Sequence, residues 1–203
     1  GHRIGMRSLE NQRVEKETQN PMDNFMLHNK CVPVLKKIMD KKSDADIHIL
    51  YTDKFIKVEG KDFTYIVRRG EGEYFKIDQM LSSDYETKVK VNKRELLDCI
   101  DRSTLLVKEG DKKPIIMNVT DGSMELKITS FIGSMNEDID IEKEGKDILI
   151  GFNPKFFIDA LRVIDEEEVS LYMVNPKAPC FIKDDEGKFI YLILPVNFNT
   201  ATN

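Results

Sequence analysis

The 203-residue sequence has no tryptophan, only three cysteines and three histidines, and no apolar run approaching the roughly 18 residues that cross a bilayer. The missing run excludes a transmembrane helix, and no charged-then-apolar leader opens the chain. With aromatics at 8% and hydrophobic residues at 40%, the core has to be built from Ile, Leu, Val, Phe and Met. Cys31, Cys99 and Cys180 are an odd number, far apart and without a CxxC pair, a pattern that suits free, buried thiols in a reducing compartment. His2, His28 and His48 fall in different elements with no HExxH, so no metal-ligand spacing is present. There is no G-x-S-x-G, no P-loop and no GxGxxG. The acidic run 165–168 and the stretch 137–147 are too dense for a tuned acid/base pair and read as solvated faces. Neither an enzyme nor a cofactor is expected.

Charge of one sign is also lacking. The 31 Lys+Arg against 36 Asp+Glu leave a net charge of −5, which excludes a uniformly basic nucleic-acid binder. The distribution is uneven, however. Residues 29–42 hold five Lys and one Asp, whereas 137–147 hold six acids and two Lys. A protein that is basic on one side and acidic on the other remains open.

What is present is an alternation of short strand patterns and isolated helices. Residues 8–24 are polar and aperiodic and read as a surface loop. Apolar positions Cys31, Val32, Leu35, Ile38 and Met39 predict a helix over about 28–40. The stretches DIHILYT, KFIKVEG, FTYIVRRG and TKVKV predict strands. Asn92 with Glu95 three residues on predicts a capped helix over 93–106, with Leu96, Leu97, Ile100 and Thr104 as its inner stripe. PIIMNVT, SMELKITS, SMNEDIDIE and KDILIGF predict further strands. Asn153-Pro154 opens a third helix to about Ile164, with Phe157, Ala160, Leu161 and Ile164 inward. VSLYMV, APCFIKD and FIYLILPV close the chain. The order is α+β, not alternating βαβ.

An internal repeat is legible. Residues 28–40 set over 153–165 match in apolar positions (Val32 with Phe157, Ile38 with Val163, Met39 with Ile164) and in charge (Lys30 with Lys155, Lys37 with Arg162, Asp40 with Asp165). Each copy runs on into strands. Lys30 and Lys37 are seven apart and share a helix face, as do Lys155 and Arg162. The expectation is two copies of one domain type, with a basic helix face in each.

Four segments then resemble the bacterial β sliding clamps, the processivity subunits of DNA polymerase III. Gly1-His2-Arg3-Ile4 is similar to the end of the family's Asp-Gly-His-Arg-Leu motif. Arg69–Tyr74 is similar to its EGEFPDY stretch, although Phe75-Lys76-Ile77 replaces the Pro-Asp-Tyr. Residues 91–110 resemble the opening of the family's third domain. The most specific likeness is 150–173, followed by Pro179-Cys180 and Tyr191–Val196. Only the loop at 8–24 lies outside the likeness, and the chain runs seven residues past Val196.

The resemblance implies a DNA clamp fold, with repeated domains carrying helices on one face of antiparallel sheets. It implies that 1–85 is the later part of the middle domain and 86–203 the C-terminal domain of a fragment that cannot close a ring by itself. It implies a non-catalytic, cytoplasmic clamp that encircles double-stranded DNA without reading its sequence and is a homodimer at full length. Its implied partners are the polymerase III catalytic subunit, the clamp loader and other clamp-motif proteins. Partner peptides, carrying a Gln and hydrophobic residues, would enter a pocket between domains formed by Gly1, His2, Arg3, Ile4, Met80, Asn153, Phe156, Leu192, Leu194, Pro195 and Val196. DNA would meet Lys30, Lys37, Lys93, Arg94, Arg102, Lys155 and Arg162. Leu105 and Leu106 would serve the dimer seam or a core contact, and Asn197 and Phe198 would alter the pocket rim. The alternatives are a non-DNA interaction module of duplicated α+β domains and a Cys-dependent enzyme.

Overall fold

The computed structural model describes residues 3–7, 25–39, 45–72, 84–107, 113–183 and 188–198. The chain divides into two compact units, one of residues 1–11 with 82–203 and one of 12–81.

The first unit is built from two similar halves. Strand β5 (Thr87–Asn92), helix α2 (Lys93–Thr104) and strands β6 (Ile115–Thr120), β7 (Ser123–Ser130) and β8 (Gly133–Asp140) make one half. Strand β10 (Ile148–Phe152), helix α3 (Pro154–Leu161) and strands β11 (Glu168–Met173), β12 (Cys180–Lys183) and β13 (Phe189–Ile193) make the other. Each half lends its first strand to the other: β5 pairs with β11 and β10 pairs with β6, both antiparallel. Two sheets result. One has the order β10-β6-β7-β8, and the other ends at one side with the short β9 (Glu142–Gly145). Its opposite end is β1 (Arg3–Arg7), which pairs with β13. Residues 1–11, which include β1, thus cluster with 82–203 through the β1–β13 pairing.

Period-two alternation sends Val89, Val91, Met117, Leu126, Ile150, Leu171 and Ile193 into one core, where α2 and α3 supply Leu96, Ile100, Phe157 and Leu161. Phe152 and Phe157 meet edge to face at 5.0 Å. Gly122 (φ +76°) closes the β6–β7 turn after Asp121, a conformation a side chain would oppose.

The second unit has helix α1 (Cys31–Ile38) and a meander of β2 (His48–Tyr51), β3 (Phe55–Gly60) and β4 (Phe63–Arg68). Its order, one helix and then three strands, repeats that of α3 with β11, β12 and β13.

Several expectations are corrected in detail. The first helix is shorter than 28–40, and of its expected inner stripe only Cys31 is buried; Val32 is 57% exposed. One helix over three described strands has too little sheet surface to cover both flanks of α1. The second helix stops at Thr104, and its buried positions are Leu96, Cys99, Ile100 and Ser103, a stripe rotated from Leu97 and Thr104. The third stops at Leu161, with Arg162 and Val163 in a closing turn. The single strand expected at 134–142 is two, β8 and β9.

Candidate functional site

The β1–β13 pairing brings three sequence segments to one sheet edge. Arg3 stands opposite Ile193 and Ile4 opposite Leu192. Directly opposed residues share a face, so Ile4 and Leu192 lie together on one side of the sheet. Arg3 takes the other side, where α3 lies. Its guanidinium sits 4.9 Å from the centroid of the Phe156 ring and forms an ion pair with Asp159 on the same helix. Arg7 repeats the arrangement with Asp165 at 3.1 Å. Four residues along β1, two cations thus hold the strand to α3 and its continuation. Gly5 leaves room for the Tyr191 ring, whose nearest atom would lie 2.8 Å from a Cβ there. Burial pushes the Tyr191 hydroxyl above its ordinary pKa, while Arg3 pulls the other way.

Asn153 caps α3: its Oδ1 accepts from the Lys155 N–H at 3.0 Å, and its backbone oxygen accepts from Phe156 N–H at 3.1 Å. Pro154 at the first helical position has no N–H to satisfy. Past the end of β13, Leu194, Pro195 and Val196 are half-buried, and the Val196 N–H donates to the Gly151 oxygen at 2.8 Å. Of the expected pocket residues, Arg3, Ile4, Asn153, Phe156, Leu192, Leu194, Pro195 and Val196 thus gather around the β1–β13 edge and the start of α3. Gly1, His2 and Met80 lie outside the described residues.

The expected DNA-facing cations divide sharply. Lys30 and Lys37 are exposed on α1 in the second unit. In the first unit, the Lys93 Nζ donates to the Ile164 oxygen at 2.8 Å. Arg94 lies 3.9 Å from Asp98, and Arg162 pairs with Asp101 at 3.1 Å. Arg102 grips the Glu137 carboxylate through both Nε and a terminal nitrogen. Lys155 is exposed. A shallow cleft of about 330 Å³ runs along α2, lined by Asn92, Arg94, Glu95, Asp98 and Arg102. The hydrogen bond from Arg102 holds the Glu137 carboxyl below its ordinary pKa and raises that of Arg102.

Cys99 is wholly buried, and burial first, then the Glu137 charge, pushes its thiol up to about 12. Cys180 is raised by burial as well. Such thiols are poor nucleophiles. Among the described residues no three His, Cys, Asp or Glu gather as metal ligands, and no helix is long and apolar enough to cross a membrane.

Leu105, just past α2, is 78% exposed and Leu106 half-buried. The β7–β8 turn beside them carries Phe131, 94% exposed, and Ile132. A Cβ on Gly133 would lie 3.6 Å from Leu106, so turn and helix end adjoin. Sequence reasoning named the leucines and missed Phe131 and Ile132. Two large apolar residues in a hairpin turn, where polar residues prevail, were the available signal. It also missed Asp101, Glu137 and Asp159, the partners of three named arginines, because their pairing spans 35 to 156 positions.

Comparison with known proteins adds the following. The family described as DNA polymerase III beta subunit, C-terminal domain, matches residues 78–197. The beta sliding clamp of Staphylococcus epidermidis is 31% identical over 198 residues, covering 96% of this chain and 51% of the clamp. That of Staphylococcus aureus is 32% identical over 199 residues, with the same coverage. A solved structure from Eubacterium rectale, assigned as a DNA polymerase III beta subunit, is 68% identical with a TM-score of 0.88, over 98% of this chain and 53% of that one. The chain spans about half the length of the curated relatives it matches.

Proposed function

Since the chain belongs to the DNA polymerase III beta subunit family, the β sliding clamps, we propose that it forms the partner-docking portion of a non-catalytic processivity clamp. In this reading 86–203 corresponds to the clamp's C-terminal domain, and 1–85 to the later part of the middle domain. The full-length protein encircles duplex DNA in the cytoplasm as a homodimer, and the polymerase catalytic subunit, the clamp loader and other clamp-motif proteins bind it.

The single observation that carries this reading is the convergence at the β1–β13 edge. Arg3–Ile4, Phe156 and Leu192–Ile193 come from distant parts of the sequence; where β1 pairs with β13, Ile4 and Leu192 share one face and Arg3 meets Phe156 on the other. Buried Leu192 and half-buried Ile4, Phe156, Leu194, Pro195 and Val196 lie there beside a few oriented polar groups, the composition expected of a peptide-docking site. The Asn153 amide supplies polar direction for a Gln side chain, while Arg3, held by Asp159 and the Phe156 ring, ties β1 to α3. Ile4, Leu194 and Val196 supply apolar surface for the peptide's hydrophobic end.

DNA contact in this reading is electrostatic and sequence-independent, through Lys30, Lys37, Lys93, Arg94, Arg102, Lys155 and Arg162. Carboxylates beside Arg94, Arg102 and Arg162 moderate the attraction, which suits a surface that tracks along phosphates. The same pairing favours the second reading, a protein-interaction module of this fold that does not bind DNA. The dimer seam falls at Leu105, Leu106, Phe131 and Ile132, next to β8, an edge strand among the described residues.

Calorimetric titration with a Gln-x-x-Leu-Phe-type peptide tests the docking role. Saturable one-to-one binding is expected, abolished by Leu194→Asp. Absence of binding to the intact chain refutes it. Retention of peptide binding with no salt-dependent affinity for duplex DNA, measured on the full-length ring, favours the second reading.

A further inference from the structure

We propose that Phe198 is a positioning residue for the peptide site, holding the wall formed by Leu194, Pro195 and Val196 in place by docking its ring on Gly151; the inference rests on the peptide-docking reading above. The wall needs such a device. β13 ends at Ile193, and the segment 194–198 runs on outside any described strand. A segment outside the ladder lacks the repeated hydrogen bonds that fix a strand, and its order has to come from individual ties.

Two ties of the segment are seen among the described residues, and both end on one residue. The Val196 N–H donates to the Gly151 oxygen at 2.8 Å. The Phe198 ring lies over Gly151 so closely that a Cβ built there would stand 2.6 Å from its Cδ1 and 3.2 Å from the Val196 oxygen. Gly151 sits inside β10, paired with Ile116, where glycine weakens a strand unless another part of the chain has to approach its backbone. The 194–198 segment is that part. Gly151 also lies two positions before Asn153, which caps the helix carrying Phe156. The wall is therefore anchored to the same stretch that orients the other side of the site. In the sequence Asn-Phe-Asn-Thr-Ala-Thr-Asn, Phe198 is the one aromatic residue, and it is half-buried.

A peptide that binds here meets a wall already in place. Without the ring, ordering the wall has to be done on binding, which weakens it by about tenfold.

The test uses the full chain, a Gln-x-x-Leu-Phe-type peptide and two readouts: calorimetric affinity, and hydrogen exchange at the Val196 amide without peptide. Phe198→Ala is expected to accelerate Val196 exchange and to weaken the peptide by about tenfold, with Tm nearly unchanged. Phe198→Leu restores most of both, because it keeps an apolar anchor. Gly151→Ala, which displaces the ring, reproduces the Phe198→Ala effects, and the double variant is no worse than either single one. Unchanged Val196 exchange in Phe198→Ala overturns the proposal, as does unchanged affinity where the parent chain binds. If Gly151→Ala does not fold, the two Phe198 variants decide. If the parent chain binds no peptide, the docking reading fails, while Val196 exchange still decides whether Phe198 holds the segment.

Discussion

Replacing Asn153 with Ala separates the residue's two roles. The side chain's Oδ1 accepts from the Lys155 N–H at 3.0 Å, at the start of an eight-residue helix. Pro154 removes one orphan donor, and the Phe156 N–H already reaches the Asn153 backbone oxygen. The side chain therefore satisfies one donor, at an exposed position where water can replace it. That places the loss near the middle of the range for caps, about 1 kcal/mol. For a protein of this size such a loss lowers Tm by roughly 2–4 °C. Thermal unfolding followed by circular dichroism measures it. Asn153→Asp is expected to recover the lost Tm, because a carboxylate caps equally well and also favours a helix N-terminus. Peptide affinity should behave differently. It falls by about fivefold for Ala if binding loses a contact worth about 1 kcal/mol. Asp should restore stability without restoring that affinity, since a carboxylate cannot donate to a Gln carbonyl as the amide does. Full Tm in Asn153→Ala refutes the capping argument. Full affinity in Asn153→Asp refutes a direct role for the amide.

Phe157→Ala empties a fully buried site that stacks edge to face with Phe152, and denaturant unfolding should show a loss of about 3–5 kcal/mol. The thiols give a pH prediction. Cys99 and Cys180 have pKa values raised above 9.0 by burial, so the folded state keeps both protonated where the unfolded chain ionises. The stability they carry is whole below about pH 9 and is lost as pH rises towards and past 12. Iodoacetamide at pH 8 should leave both unmodified in the native protein and label them after denaturation. Glu137→Gln and Asp101→Asn release Arg102 and Arg162 from their carboxylates. Duplex DNA affinity, read by fluorescence anisotropy on the full-length ring, should rise and its salt slope steepen by about 0.9 per released cation that meets a phosphate. An unchanged slope would move these residues off the DNA face.

The parts of the fold legible in the sequence were those governed by local rules. Asn92 and Asn153 announce their helices because a cap and its donor lie within three residues. Alternation reports the strands because side-chain direction reverses at every residue. The helix ends at Thr104 and Leu161 were missed because apolar spacing carries on past them, through the closing turn at 105–107 and through Val163 and Ile164 at and after the turn at 162–163. The site was legible chiefly through the resemblance. Composition and periodicity alone made Leu192 and Leu194 an ordinary strand. Nothing local in Arg3 foretells a ring and a carboxylate more than 150 positions away, and nothing in a net charge of −5 foretells which arginines are already paired. The acidic stretch 137–147 is not wholly a bare solvated face: Glu137 pairs with Arg102, Glu144 with Lys88 and Asp147 with Lys143.

The central claim is that partners dock where β1 meets β13 and α3 begins. The most direct measurement is an amide spectrum of the isotopically labelled chain, recorded as a Gln-x-x-Leu-Phe-type peptide is added. The account predicts saturable shifts at Arg3, Ile4, Asn153, Phe156, Leu192, Leu194 and Val196, with the α2 cleft at Arg94, Glu95 and Asp98 unmoved. Shifts confined to that cleft, or none at the β1–β13 edge at saturating peptide, would contradict it.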